Sequence, residues 1–224
     1  MSEAALKSKG VNERTAFHEA GHAFLVYSYR HLFGRIISCT IEDGKINGRM
    51  CDGHVMFRFV SQISARPKPV NLTDEQWQKV KILDDFLVHI YLAGYMAEAI
   101  WADKSGSATI QTAAVESPHL ECGMDSTAAA KGEGSENQQL PSDILEARKI
   151  LSFYVHESEI DAHIQKEFTQ TGLLLLEGWT AVQAVAEALL EYRTLSGPTT
   201  DFIIQDALAQ MADEKKLAIE SEAW

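Results

Sequence analysis

Between Asn12 and Phe33 apolar residues recur at helical spacing, with Ala16, Ala20, Ala23, Phe24 and Tyr27 falling on one face. This predicts a helix capped by Asn12, with Glu13 favourable in its first turn, and ended by Gly34. The pattern then changes. Ile36 to Ile41 and His54 to Val60 carry β-branched and aromatic residues, and the intervening Asp43-Gly44 and Asn47-Gly48 pairs supply turn chemistry, so a β-hairpin is expected. Pro67 and Pro69 break the chain, and Thr73-Asp74-Glu75-Gln76 reads as a capping box opening a long helix to about Trp101. Leu83, Phe86, Leu87, Ile90, Tyr91, Met96 and Ile100 give that helix a heavily buried character.

Residues 103–140 differ in kind. Ser, Gly, Ala, Thr, Glu and Gln dominate, and Met124 to Gln139 has almost no large apolar residue, which predicts a mobile insertion. Pro141-Ser142-Asp143 opens another helix through Ile144, Ala147, Ile150, Leu151 and Tyr154, with either Ser142 or Asp143 as its cap. Three further helices are expected over Ser158–Leu176, Trp179–Tyr192 and Thr200–Met211. Turns are placed at Gly172, Gly178 and Ser196-Gly197-Pro198, and the charged end from Asp213 to Trp224 is expected to fray. The sum is a mainly α fold with a small β-hairpin (α+β), organised as a single domain over residues 1–224.

Composition narrows the function classes. A chain of 224 residues can bury one sizeable core, and its net charge of −12, without a patch dense in Lys and Arg, argues against nucleic acid as a partner. No apolar run approaches 18 residues, so no membrane insertion is expected, and the polar first ten residues lack the apolar core of a secretory signal. Cys39, Cys51 and Cys122 contain no C-x-x-C pair, which favours structural thiols in the cytoplasm or another reducing soluble compartment. No G-x-x-x-x-G-K-[ST] loop is present, so the chain encodes no ATP engine of its own.

The candidate chemistry lies in Phe17-His18-Glu19-Ala20-Gly21-His22, an H-E-x-x-H inside the first helix. Residues four apart stack one turn above each other, so His18 and His22 aim two imidazoles at one point, with Glu19 beside them. That arrangement suits Zn²⁺ plus an adjacent carboxylate able to take a proton from water. A surface helix carrying two histidines is the plain alternative. Gly21 argues against it, because a mid-helix glycine costs about 1 kcal/mol relative to alanine and marks close approach to the backbone. Glu98 stands out on the apolar half of the second long helix: it either meets a zinc-ligand imidazole N–H or points to solvent. His119 and Cys122, within the insertion, are read as incidental. The hairpin is either purely structural or offers an edge to an extended peptide.

Several separated blocks together resemble the FtsH-type ATP-dependent zinc metalloproteases. Arg14-Thr15-Ala16-Phe17-His18-Glu19-Ala20-Gly21-His22-Ala23 is similar to that family's zinc helix, and Leu92 to Ile100 to its L-G-G-R-A-A-E-E block. Ser142 to Ala147 is similar to its S-N-D-L-x-x-A-T helix start, and Ala186 to Gly197 to its closing L-A-x-x-L-L-E-x-x-x-L-x-G. The blocks keep the family's order and span Asn12 to Met211. The resemblance implies a helical zinc-peptidase domain with His18, His22 and Asp143 as metal ligands, Glu19 as general base and Glu98 supporting a zinc histidine from behind. For Asp143 the competing role is that of a helix cap alone. The family's ATPase module and membrane helices have no counterpart here, and Gly94-Tyr95-Met96 stands where the family has Gly-Gly-Arg. The expectation is a soluble Zn²⁺-dependent endopeptidase acting on polypeptide without its own ATPase. The alternative is a catalytically idle module that binds polypeptides or partners an ATP-dependent protease. A separate ATPase chain and a homo-oligomer remain open as partners.

Overall fold

A computed structural model describes residues 3–46, 49–51, 53–58, 73–104 and 142–222. Two long helices make the frame: α1 (Glu3–Ser28) and α3 (Asp74–Lys104). They cross unusually closely because the facing residues are small. A Cβ on Gly21 would lie 2.6 Å from the Ala93 carbonyl oxygen and 2.7 Å from the Ala97 Cβ. Ala93 and Ala97 are fully buried at that contact. The close approach expected from Gly21 therefore has an identified neighbour, the backbone of α3.

The first helix starts earlier than expected, at Glu3, so Asn12 lies inside it and caps nothing. Its Oδ1 instead accepts from Arg193 Nη1 at 3.2 Å. After α1 the chain breaks at Tyr29, forms the one-turn α2 (Arg30–Phe33), and is stopped by Gly34 at φ 102°, a conformation that glycine tolerates without a Cβ penalty. At the start of α3 the Trp77 N–H donates to the Thr73 carbonyl, as expected of a helix opened at Thr73.

The β region exceeds a simple hairpin. Strand β1 (Arg35–Thr40) pairs antiparallel with β4 (His54–Arg58), bulging at Ile37, and on its other side with β5 (Thr194–Ser196). The three-stranded order is β4-β1-β5, and β2 (Gly44–Ile46) pairs separately with β3 (Arg49–Cys51). Asn47-Gly48 lies outside the described residues. The third strand went unforeseen because three residues with one buried side chain, Leu195, carry almost no periodic signal.

Helices α4 (Ser142–Leu151), α5 (Ile160–Glu177), α6 (Trp179–Tyr192) and α7 (Gly197–Glu222) complete the fold, with a short 3₁₀ turn at Glu157–Glu159 before α5. Gly172 does not turn the chain: α5 runs through it and ends at Gly178, where α6 departs at 81°. The end expected to fray is helical to Glu222, in keeping with its content of good helix formers. Lys104 closes α3, so residues 103–104 belong to a helix, while residues 105–141, including His119 and Cys122, lie outside the described residues.

Two apolar clusters fix the frame. The larger joins α1 and α6 through Ala16, Phe24, Val182, Val185 and Leu189, with Phe17 stacked between Trp101 and Trp179 at 5.6 Å from each. The smaller joins the opposite face of α3 (Val88, Leu92) to Ala147, Ile150 and Leu151 of α4 and Phe168 of α5. Because α3 packs on both sides, it carries the start of α4 to the histidine face of α1. No single helix among the described residues is long and apolar enough to cross a membrane.

Candidate metal centre

His18 and His22 project one turn apart from α1, with Nε2 atoms 3.0 Å apart. Each ring is held from behind by α3. His18 Nδ1 donates to Glu98 Oε1 at 2.6 Å, and His22 Nδ1 donates to the Ile90 carbonyl at 2.6 Å. These bonds place a proton on each Nδ1 and turn each Nε2 lone pair inward. Asp143, in the first turn of α4, brings Oδ2 to 3.2 Å from His18 Nε2 and 3.4 Å from His22 Nε2. Three acceptors thus converge on one point. His18, His22 and Asp143 form a group that could hold a metal ion.

Burial disfavours charge on His18, but its hydrogen bonds to Asp143 and Glu98 outweigh burial and push its pKa up to about 10. Burial likewise opposes ionisation of Asp143, yet the bonds to His18 and His22 hold its carboxyl well below the usual carboxylate range. The Asp143 side chain therefore faces the histidines across the chain rather than serving as a cap alone.

Glu98 proves to be the buried carboxylate with a partner, its side chain only 8% exposed. Its two oxygens are divided: Oε1 faces His18, and Oε2 accepts from Arg14 Nε. Arg14 sits one turn before His18 on the same stripe of α1, so residues 14, 18 and 22 all meet α3. Two neighbours in α3 shape the same pocket. A Cβ on Gly94 would lie 2.5 Å from His18 Cε1 and Nε2, and the Tyr95 ring stands edge-on to His18 at 4.9 Å. Burial, then the charges of Asp143 and Glu98, push the Tyr95 hydroxyl upward.

Glu19 lies beside the histidine pair and outside the three-acceptor group, as its position one residue past His18 requires. It is 5% exposed, and its Oε2 is buried without a hydrogen-bond partner. The sheet roofs it: a Cβ on Gly53 would come within 2.9 Å of Glu19 Oε1. Cys39, a buried free thiol of β1, approaches the Glu19 carbonyl oxygen at 3.8 Å. Burial pushes the Glu19 carboxyl up, opposed by the charges of His22 and His18.

Every residue singled out from the sequence, His18, Glu19, His22, Glu98 and Asp143, meets at this one place. Arg14, Gly53, Gly94 and Tyr95 join them without having been assigned a role. Arg14 offered one usable signal, its i−4 spacing from His18. Gly53 offered none, because its importance comes from a strand folding over α1. No protein-family model matches the chain, and no curated protein matches it.

Proposed function

We propose that the chain is a zinc-dependent endopeptidase. The observation that carries this reading is the convergence of His18 Nε2, His22 Nε2 and Asp143 Oδ2 beside an uncoordinated Glu19. Donors held about 2.0–2.1 Å from a tetrahedral zinc ion lie about 3.3–3.4 Å from one another, leaving a fourth position open. The separations of 3.0, 3.2 and 3.4 Å are within a few tenths of an ångström of that spacing. Glu98 and Asp143 also bring two carboxylates here against the one guanidinium of Arg14, a balance that suits a bound cation. Two imidazoles and one carboxylate suit zinc.

When bound, the ion acidifies water and polarises a peptide carbonyl. Glu19 accepts a proton from the attacking water and delivers it to the leaving amine. Its raised proton affinity suits that shuttle, and the orphaned Oε2 is free to hold the proton. Glu98 and the Ile90 carbonyl keep both Nδ1 protons in place, so the ligating nitrogens stay aimed during turnover. A polypeptide would lie extended along β4, which ends the strand order β4-β1-β5 among the described residues and follows Gly53, the residue set over Glu19.

Glu19→Gln tests the reading. Metal should remain at about one equivalent while cleavage of an unfolded polypeptide falls by about 10²–10⁴-fold, the usual share of a general base. Undiminished cleavage would remove Glu19 from the mechanism. The alternative, a module that binds polypeptide without cleaving it, is favoured by one observation, the 5% exposure of Glu19 beneath Gly53. Metal binding by the wild type with no turnover of blocked internal peptides would favour it. A separate ATPase chain, self-association and a reducing compartment rest on the resemblance and the cysteine pattern alone.

A further inference from the structure

We infer that Arg14 is a positioning residue of the metal centre, acting through Glu98 on His18. This inference rests on the metal-site reading above and adds to it a residue with no contact to the ion. Glu98 is a buried carboxylate with two demands on it. One oxygen stays 2.6 Å from His18 Nδ1, and the other accepts from Arg14 Nε, its partner among the described residues. Removing the guanidinium strands that oxygen. A carboxylate relieves such a position by turning toward solvent, and the turn takes its partner oxygen away from His18.

Two opposing effects decide the sign. Arg14⁺ repels a bound cation, so its loss could tighten binding. Its side chain is 58% exposed, however, and water and salt screen a charge placed there. The Glu98 side chain is 8% exposed and cannot be screened in that way. The orientational effect is therefore the larger, and loss of Arg14 weakens metal binding. Outer-shell partners of zinc histidines are each worth about 10–100-fold in affinity. Arg14, one bond further out, belongs at the lower end of that range. Its side chain is 58% exposed, so shortening it opens little buried space.

The experiment is a zinc titration of the full chain against a chromophoric chelator, for wild type, Arg14→Gln, Arg14→Lys, Glu98→Gln and the Arg14→Gln/Glu98→Gln double variant. Each is also loaded with Co²⁺ and its visible ligand-field bands recorded. Arg14→Gln should weaken zinc about tenfold and alter the Co²⁺ bands, and Arg14→Lys should recover most of both. In the Glu98→Gln background Arg14→Gln should add less than about twofold, because its route to the ion is already cut. Wild-type affinity and bands in Arg14→Gln overturn the inference, as does a full additional loss in the double variant. Should Arg14→Gln fail to fold, Arg14→Lys against wild type still decides: a recovered Co²⁺ spectrum supports the role, and a lost one overturns it. Failure of the wild type to bind zinc would sink the metal-site reading itself, which separates the two outcomes.

Discussion

Gly94→Ala places one methyl group against the ring of His18. The added Cβ would lie 2.5 Å from Cε1 and Nε2 and 2.6 Å from Cδ2, all on one face of the imidazole. An ordinary carbon contact is about 3.5–4.0 Å, so the ring must withdraw by about 1 Å. Zinc sites tolerate donor displacements of only about 0.2 Å. Stability is affected much less. Overpacking costs about 1–3 kcal/mol, but alanine is favoured over glycine in a helix by about 1 kcal/mol. At about 2–4 °C per kcal/mol for a chain of this size, the metal-free melting temperature should fall by no more than about 8 °C. Zinc affinity should fall at least about 100-fold, or about 2.7 kcal/mol. Calorimetric melting of metal-free protein together with chelator competition measures both. Wild-type zinc affinity in Gly94→Ala would refute the placement of His18 against α3. A collapse of the metal-free fold would refute the claim that only the ring must move.

Three further outcomes follow from the same centre. Because the His18 pKa stands near 10, against an ordinary value near 6.5, metal uptake at pH 7 must displace a proton. Calorimetric titrations in buffers of different ionisation enthalpy should read close to one proton released, and no buffer dependence would count against the Asp143–His18 pair. The sign for stability without metal is equally fixed. A group whose pKa is raised on folding stabilises fully below its unfolded value, so this contribution is complete below about pH 6.5 and lost as pH rises towards 10. Denaturant midpoints of metal-free wild type should fall over that window, and Asp143→Asn should flatten the slope. Gly53→Ala pushes a methyl group to 2.9 Å from Glu19 Oε1 and 3.0 Å from its Cγ. Peptide turnover should drop at least tenfold with zinc content unchanged, and unaltered turnover would show that the sheet does not set the position of Glu19.

Much of the helical framework was legible because it repeats. Apolar residues three and four apart declared α1, α3, α4 and α6, and Gly34, Thr73 and Gly178 marked boundaries for local steric or capping reasons. The failures were local signals overruled from elsewhere. Asn12 has the chemistry of a cap, but the helix continues past it, and Arg193 uses its side chain instead. Gly172 has the look of a turn and is simply helical. Strand β5 exists because β1 offers it an edge, a fact about residues 35–40 that residues 194–196 do not contain.

The candidate centre divides in the same way. One turn of helix brings His18 and His22 together and sets Glu19 aside, so those three relations are properties of the local sequence. Asp143 is 125 residues from His18, and Glu98 is 80. Their arrival depends on α3 fitting closely against Gly21 of α1 while its opposite face holds α4. Gly21, Ala93 and Ala97 can be read as small from the sequence, but that they meet one another cannot. Helical periodicity is written within a few turns of chain, whereas the closure of a three-acceptor site and the roof over its base are decided by which faces pack together.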